Sequence, residues 1–72
     1  MQFAICLDNK GYEASLEAGK LYRVVSDDRA ADCGYVRIVD ESGEDYAFTA
    51  NRFHVIQLPH SVEKTLMSVL QA

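Results

Sequence analysis

The sequence predicts a mostly β fold: a five-stranded antiparallel barrel followed by a short C-terminal α-helix. Three observations predict it. Short β-type runs recur at 2–7, 21–26, 35–40, 45–49 and 53–58. Turn-forming residues punctuate the chain, as in Asp8-Asn9-Lys10-Gly11 and Glu41-Ser42-Gly43. After Pro59 the apolar period changes from two to between three and four.

Each element has its own reason. In QFAICL, Phe3, Ile5 and Leu7 share one face while Ala4 and Cys6 share the other. Both faces are apolar, so the strand is expected to be buried on both sides. Residues 13–19 are too short and too glycine-terminated for a helix, and read as an irregular loop carrying Leu16 inward. LYRVVS is strand by its branched and aromatic content, with Tyr22 and Val24 on the core side. The polar segment DDRAADCG reads as a loop. In YVRIVD, Val36 and Ile38 oppose Tyr35 and Arg37. A hairpin turn ends at Gly43. The next strand puts Tyr46 on the face of Phe48, and Ala50-Asn51-Arg52 kinks the chain into the fifth strand. Ser61 is the expected helix N-cap, and Val62, Leu66, Val69 and Leu70 form the expected apolar stripe. A helix of about ten residues is marginal alone in water, so it must dock on the barrel or on another molecule. The division is barrel 1–58 and helix 59–72 packed on it, within a single domain.

Seventy-two residues make one domain with a thin stability margin. Seven Lys and Arg against eleven Asp and Glu give a net charge of −4. Affinity for nucleic acid rests largely on Lys and Arg neutralising phosphates, so this balance disfavours it. It equally disfavours docking on an anionic membrane surface. The chain shows neither a signal-peptide pattern nor an apolar run of the roughly 20 residues a membrane span needs, and reads as cytoplasmic. Cys6 and Cys33 are expected to be free thiols, Cys6 buried.

The order of features over residues 3 to 56 resembles the SH3 barrel. ICLDN resembles the ALYDY signature of the first strand, and LEAGKLYRVV resembles the segment after the long first loop. YVRI stands where SH3 domains carry a tryptophan pair, and FTANRF where they carry a proline-serine-asparagine-tyrosine turn. The chain is also similar to small bacterial and phage proteins with a CxDN…L..GK.Y.V…I.D..GE.Y.F...RF pattern. The SH3 resemblance implies a barrel and, by family habit, polyproline binding between groove aromatics. Of five groove positions compared, Leu7, Asn9, Thr49 and Arg52 are not aromatic, and only Tyr35 is. The resemblance therefore supports the barrel rather than polyproline binding.

No catalytic residue, cofactor or metal site is predicted. Cys6, Cys33, His54 and His60 lack the close spacing of a zinc site, and Asp27, Asp28 and Asp32 match a calcium loop only loosely. They read as solvated loop charges. Asp40, Glu41, Glu44 and Asp45 likewise read as a solvated turn protecting a sheet edge. Tyrosine suits interfaces, because it buries much area for little entropy. Tyr12, Tyr35 and Arg52 are the predicted protein-binding surface.

The function expected is thus a non-catalytic protein-interaction module with another protein as partner. One alternative is a nucleic-acid-binding barrel, which requires Lys10, Lys20, Arg37 and Arg52 to converge. The other is a self-associating unit that exchanges its helix stripe between copies.

Overall fold

The computed structural model describes the backbone of residues 2–70 and the side chains of residues 2–69. The strands are β1 (Gln2–Cys6), β2 (Leu21–Val25), β3 (Tyr35–Val39), β4 (Asp45–Thr49) and β5 (Phe53–Ile56). They form one antiparallel sheet in the order β4-β3-β2-β1-β5, curled into a half-barrel of SH3-like arrangement. A 14-residue loop joins β1 to β2, a tight hairpin joins β3 to β4, and a 3-10 turn at Ala50–Arg52 joins β4 to β5.

The strand registers decide which side chains meet. Ala4 faces Tyr22, Cys6 faces Phe53, Val24 faces Ile38, and Val36 faces Phe48. These residues share the concave face and, with Leu16 from the long loop, make the core. Leu16 and Tyr22 are buried as their sequence context predicts. Tyr46, although on the face of Phe48, is exposed, and its hydroxyl donates a hydrogen bond to the Glu44 carboxylate. Phe3 is fully buried and by alternation lies on the opposite, convex face, so β1 is covered on both sides. Leu7 differs from expectation. The strand ends at Cys6, where the chain turns into the loop, and Leu7 is 59% exposed.

Segment 27–34 is more ordered than a loop. It contains α1 (Asp28–Asp32), whose N-cap Asp27 accepts from Ala30 N–H at 3.0 Å. A single turn of helix leaves no periodicity for a sequence reading to detect.

The C-terminal helix, α2 (His60–Leu70), starts one residue before Ser61. The Pro59 carbonyl accepts from Glu63 N–H at 3.0 Å, so Ser61 stands inside the helix rather than capping it. The helix is also rotated from the expected stripe. Glu63, Leu66 and Met67 are half-buried, whereas Val62 and Val69 are 44% and 63% exposed. Leu70's place on the stripe, and residues 71–72 of the expected helix, lie outside the described side chains and residues. Met67 lines a cleft with Leu21, Arg23 and Val39, which are convex-face positions.

The β3–β4 hairpin shows why the acidic turn is built as it is. Asp40 N–H bonds to Glu44 C=O, Gly43 N–H bonds to Asp40 C=O, and Gly43 sits at φ 84°. A side chain at that φ is strained, so glycine is required here. Asp40 is buried rather than solvated, and its carboxylate accepts from both the N–H and the hydroxyl of Ser42.

Candidate functional site

The long loop between β1 and β2 is held at several points. Cys6 and Lys20 close its base: Cys6 N–H bonds to Lys20 C=O, and Gly19 N–H to Cys6 C=O. Asn9 Nδ2 donates to Leu16 C=O at 3.0 Å, and Tyr12 C=O accepts from Ser15 and Leu16 N–H. These bonds drive Leu16 into the core and leave Tyr12 on the outside of the turn.

Arg52, the last residue of the 3-10 turn, clasps this loop from across the chain. Its Nη1 donates to Lys10 C=O at 2.9 Å and to Asp8 C=O at 3.3 Å, with the Asp8 carboxylate at 3.8 Å. Its own carbonyl accepts from Leu7 N–H at 2.7 Å. The guanidinium carbon lies 4.8 Å from the centre of the Tyr12 ring, in the cation–π range. On its other contact, Tyr12 meets Phe48 edge-to-face at 5.2 Å. A tyrosine that is 44% exposed is thus fixed by a core aromatic and by an arginine that is itself fixed.

Tyr12 and Arg52 are therefore together, and Tyr35 is apart. Tyr35 is exposed at the start of β3, opposite Thr49, and no ring or hydrogen-bond contact among the described residues joins it to Tyr12 or Arg52. It lines a groove with Val24, Val36, Ala50 and Val55 at another part of the sheet.

A second cluster lies at the long-loop side of the hairpin. The buried Tyr22 hydroxyl accepts from Glu17 N–H at 2.7 Å and donates to the Glu41 carboxylate. Lys20 Nζ bonds both oxygens of the same carboxylate, at 2.7 and 2.8 Å. The neighbouring backbone is tied as well, Glu41 N–H bonding to Ser15 C=O. Burial, then the bond to Glu41, pushes the Tyr22 phenol above its ordinary range. The bonds from Lys20 and Tyr22 hold the Glu41 carboxyl below its own. Each group satisfies the others, so the cluster acts as a knot joining long loop to hairpin. Sequence reading missed it, since nothing in the spacing of residues 20, 22 and 41 brings them together.

Of the four bases considered for nucleic acid, all but Lys10 stand beside a carboxylate among the described residues. Lys20 is paired with Glu41, Arg37 with Asp27 at 2.9 Å, and Arg52 faces Asp8. Asp27, expected to be a solvated loop charge, is held below the usual carboxylate range by the Ala30 N–H and then by Arg37. Cys6 is buried, and burial raises its thiol above the ordinary value, which disfavours the reactive thiolate. Cys33 is an exposed free thiol on the turn after α1. Among the described residues, no three or more His, Cys, Asp and Glu gather as metal ligands, and no helix is long and apolar enough to cross a membrane.

Comparison of the chain with protein-family models, curated proteins and solved structures gives no match.

Proposed function

We propose that this chain is a non-catalytic protein-interaction module that receives a partner protein on the surface centred on Tyr12 and Arg52. The observation that carries this reading is the fixed, exposed Tyr12 ring between Phe48 and Arg52. Tyr and Arg recur at binding hot spots, and a side chain already held in place loses less entropy when a partner arrives. Exposed Leu7, whose N–H is bonded to Arg52 C=O, extends the apolar area beside the pair. The partner chemistry that fits is an apolar side chain laid against Tyr12 and Leu7. Tyr35 stands outside this patch and is not part of its centre. The exposed free thiol of Cys33 suits a reducing compartment, and we place the module in the cytoplasm.

The test is residue-resolved. Isotope-labelled protein is mixed with host lysate, and amide signals are followed with and without Tyr12→Ser. Signal loss or shift at Leu7, Tyr12 and Arg52 that disappears in the variant is the expected result. Changes confined to α2, or none at all, would sink the reading.

A further inference from the structure

The outer edge of β4 goes beyond the Tyr12 surface. Among the described residues β4 has one strand neighbour, β3, and stands at the edge of the sheet. The direction of its backbone groups follows from the ladder. Asp40 pairs with Glu44 through Asp40 N–H, and Ala50 N–H bonds to Gly34 C=O at the other end. In an antiparallel pair hydrogen-bonded positions alternate, so Ile38–Tyr46 and Val36–Phe48 are also bonded pairs. Asp45, Ala47 and Thr49 consequently turn their N–H and C=O groups away from β3. All three residues are exposed, and among the described residues their backbone groups have no strand partner.

The edge carries acids at one end, but its centre lacks the other common protections. DYAFT is a regular five-residue strand with no proline, lysine or bulge. The side chains beside the edge state what strand fits. Glu44 and Asp45 lie at one end, and neither makes an ion pair among the described residues. Arg23, in the same cross-strand row as Asp45, is separated from it by Val39. Ala47, at the centre, is small and leaves room for a large neighbour.

We infer that the β4 edge binds an extended peptide segment that adds as a sixth, antiparallel strand. Its chemistry is an apolar residue opposite Thr49, a second opposite Ala47, and a lysine or arginine opposite Asp45. Main-chain bonds supply attachment and the alternate side chains supply choice. Antiparallel addition is preferred because such pairing is the more stable. The negative end of β4 selects a basic segment and opposes a second copy of this acidic chain.

The probe is a blocked hexapeptide, TVTVTK, titrated into the isotope-labelled full chain. Amides of Asp45, Ala47 and Thr49 are expected to shift and to gain protection from exchange. N-methylation of the peptide's second valine, whose N–H faces β4, is expected to weaken binding about tenfold or more. N-methylation of the threonine before it, whose N–H faces away, leaves binding unchanged. Asp45→Lys is expected to weaken it about fivefold. Ala47→Pro removes an outward N–H and no bond of the β3 ladder, so the variant is expected to fold and lose the peptide. The N-methyl pair decides the matter even if that variant does not fold. Three results overturn the proposal: no shift at these amides with millimolar peptide, indifference to which nitrogen is methylated, or the same shifts on concentrating the protein alone. The readout is confined to β4, so its failure leaves the Tyr12 surface standing.

Discussion

Replacing Tyr22 with phenylalanine removes one atom from the knot between loop and hairpin. The ring keeps its packing against Phe53, at 6.5 Å edge-to-face, so no cavity opens. What is lost is the hydroxyl that accepts from Glu17 N–H and donates to Glu41. Glu41 retains Lys20, but the Glu17 N–H loses its partner. A part-buried donor left unmet costs about 1–3 kcal/mol. Taking about 2 kcal/mol and roughly 4–8 °C per kcal/mol for a domain of this size, Tm falls by roughly 8–16 °C. The urea midpoint falls by about 1–2 M for a slope of 1–2 kcal/mol/M. Urea unfolding followed by circular dichroism gives the number. The pH dependence adds an independent sign. Folding raises the Tyr22 phenol, so its contribution is complete below about pH 10 and is lost as pH rises beyond that. Tyr22→Phe should shrink that alkaline loss; Tyr46, raised chiefly by its bond to Glu44, retains part of it. Folding lowers Glu41, so its contribution is present above about pH 4.3 and disappears as pH falls further. The variant keeps most of that acid limb through Lys20. Stability within about 0.3 kcal/mol of the parent, with an unchanged alkaline limb, would refute the knot.

Three more outcomes are expected. Arg52→Ala frees two loop carbonyls and uncovers Tyr12, and should cost about 1–2 kcal/mol by urea unfolding while speeding amide exchange at Leu16; Arg52→Lys, which lacks the planar fork, should recover less than half. Asp27→Ala loses both the α1 cap and the Arg37 pair, whereas Asp27→Asn keeps a capping oxygen, so Tm should fall further in the first. The gap between the parent and Asp27→Asn should narrow as pH drops below about 3.9, because the native carboxylate contribution is lost there. On α2, Val62→Ser and Val69→Ser should each stay within about 0.5 kcal/mol, while Met67→Ala should cost about 1 kcal/mol or more.

Much of the frame was legible because half-buried strands write their burial directly into alternation. Val36 and Ile38 against Tyr35 and Arg37 is such a case, and so is the inward Leu16 after a turn. Other features depend on where the chain bends in three dimensions. Leu7 follows the alternation of β1, yet the strand ends one residue earlier and exposes it. The α2 pattern permits two neighbouring stripes, and the one through Leu66 and Met67 is half-buried, with Met67 lining the cleft over Leu21, Arg23 and Val39. Asp40 looks like any turn acid, but it is buried because it binds Ser42 within the hairpin. At the site, tyrosine and arginine were recognisable as interface residues, while their grouping was not. Residues 12 and 52 meet because Arg52 reaches carbonyls of a loop 42 and 44 positions away, a distance periodicity does not span. Tyr35 carries the same local signal and belongs to a different part of the sheet.

The central claim is that Tyr12 is held ready in the free protein rather than fixed by its partner. Backbone relaxation of residues 7–20, together with the Tyr12 ring shifts, tests it directly. The account predicts order parameters near about 0.85 through the loop and Tyr12 ring protons displaced by the Phe48 ring. Order parameters below about 0.6 from Asp8 to Ser15, with Tyr12 at free-tyrosine shifts, would contradict it.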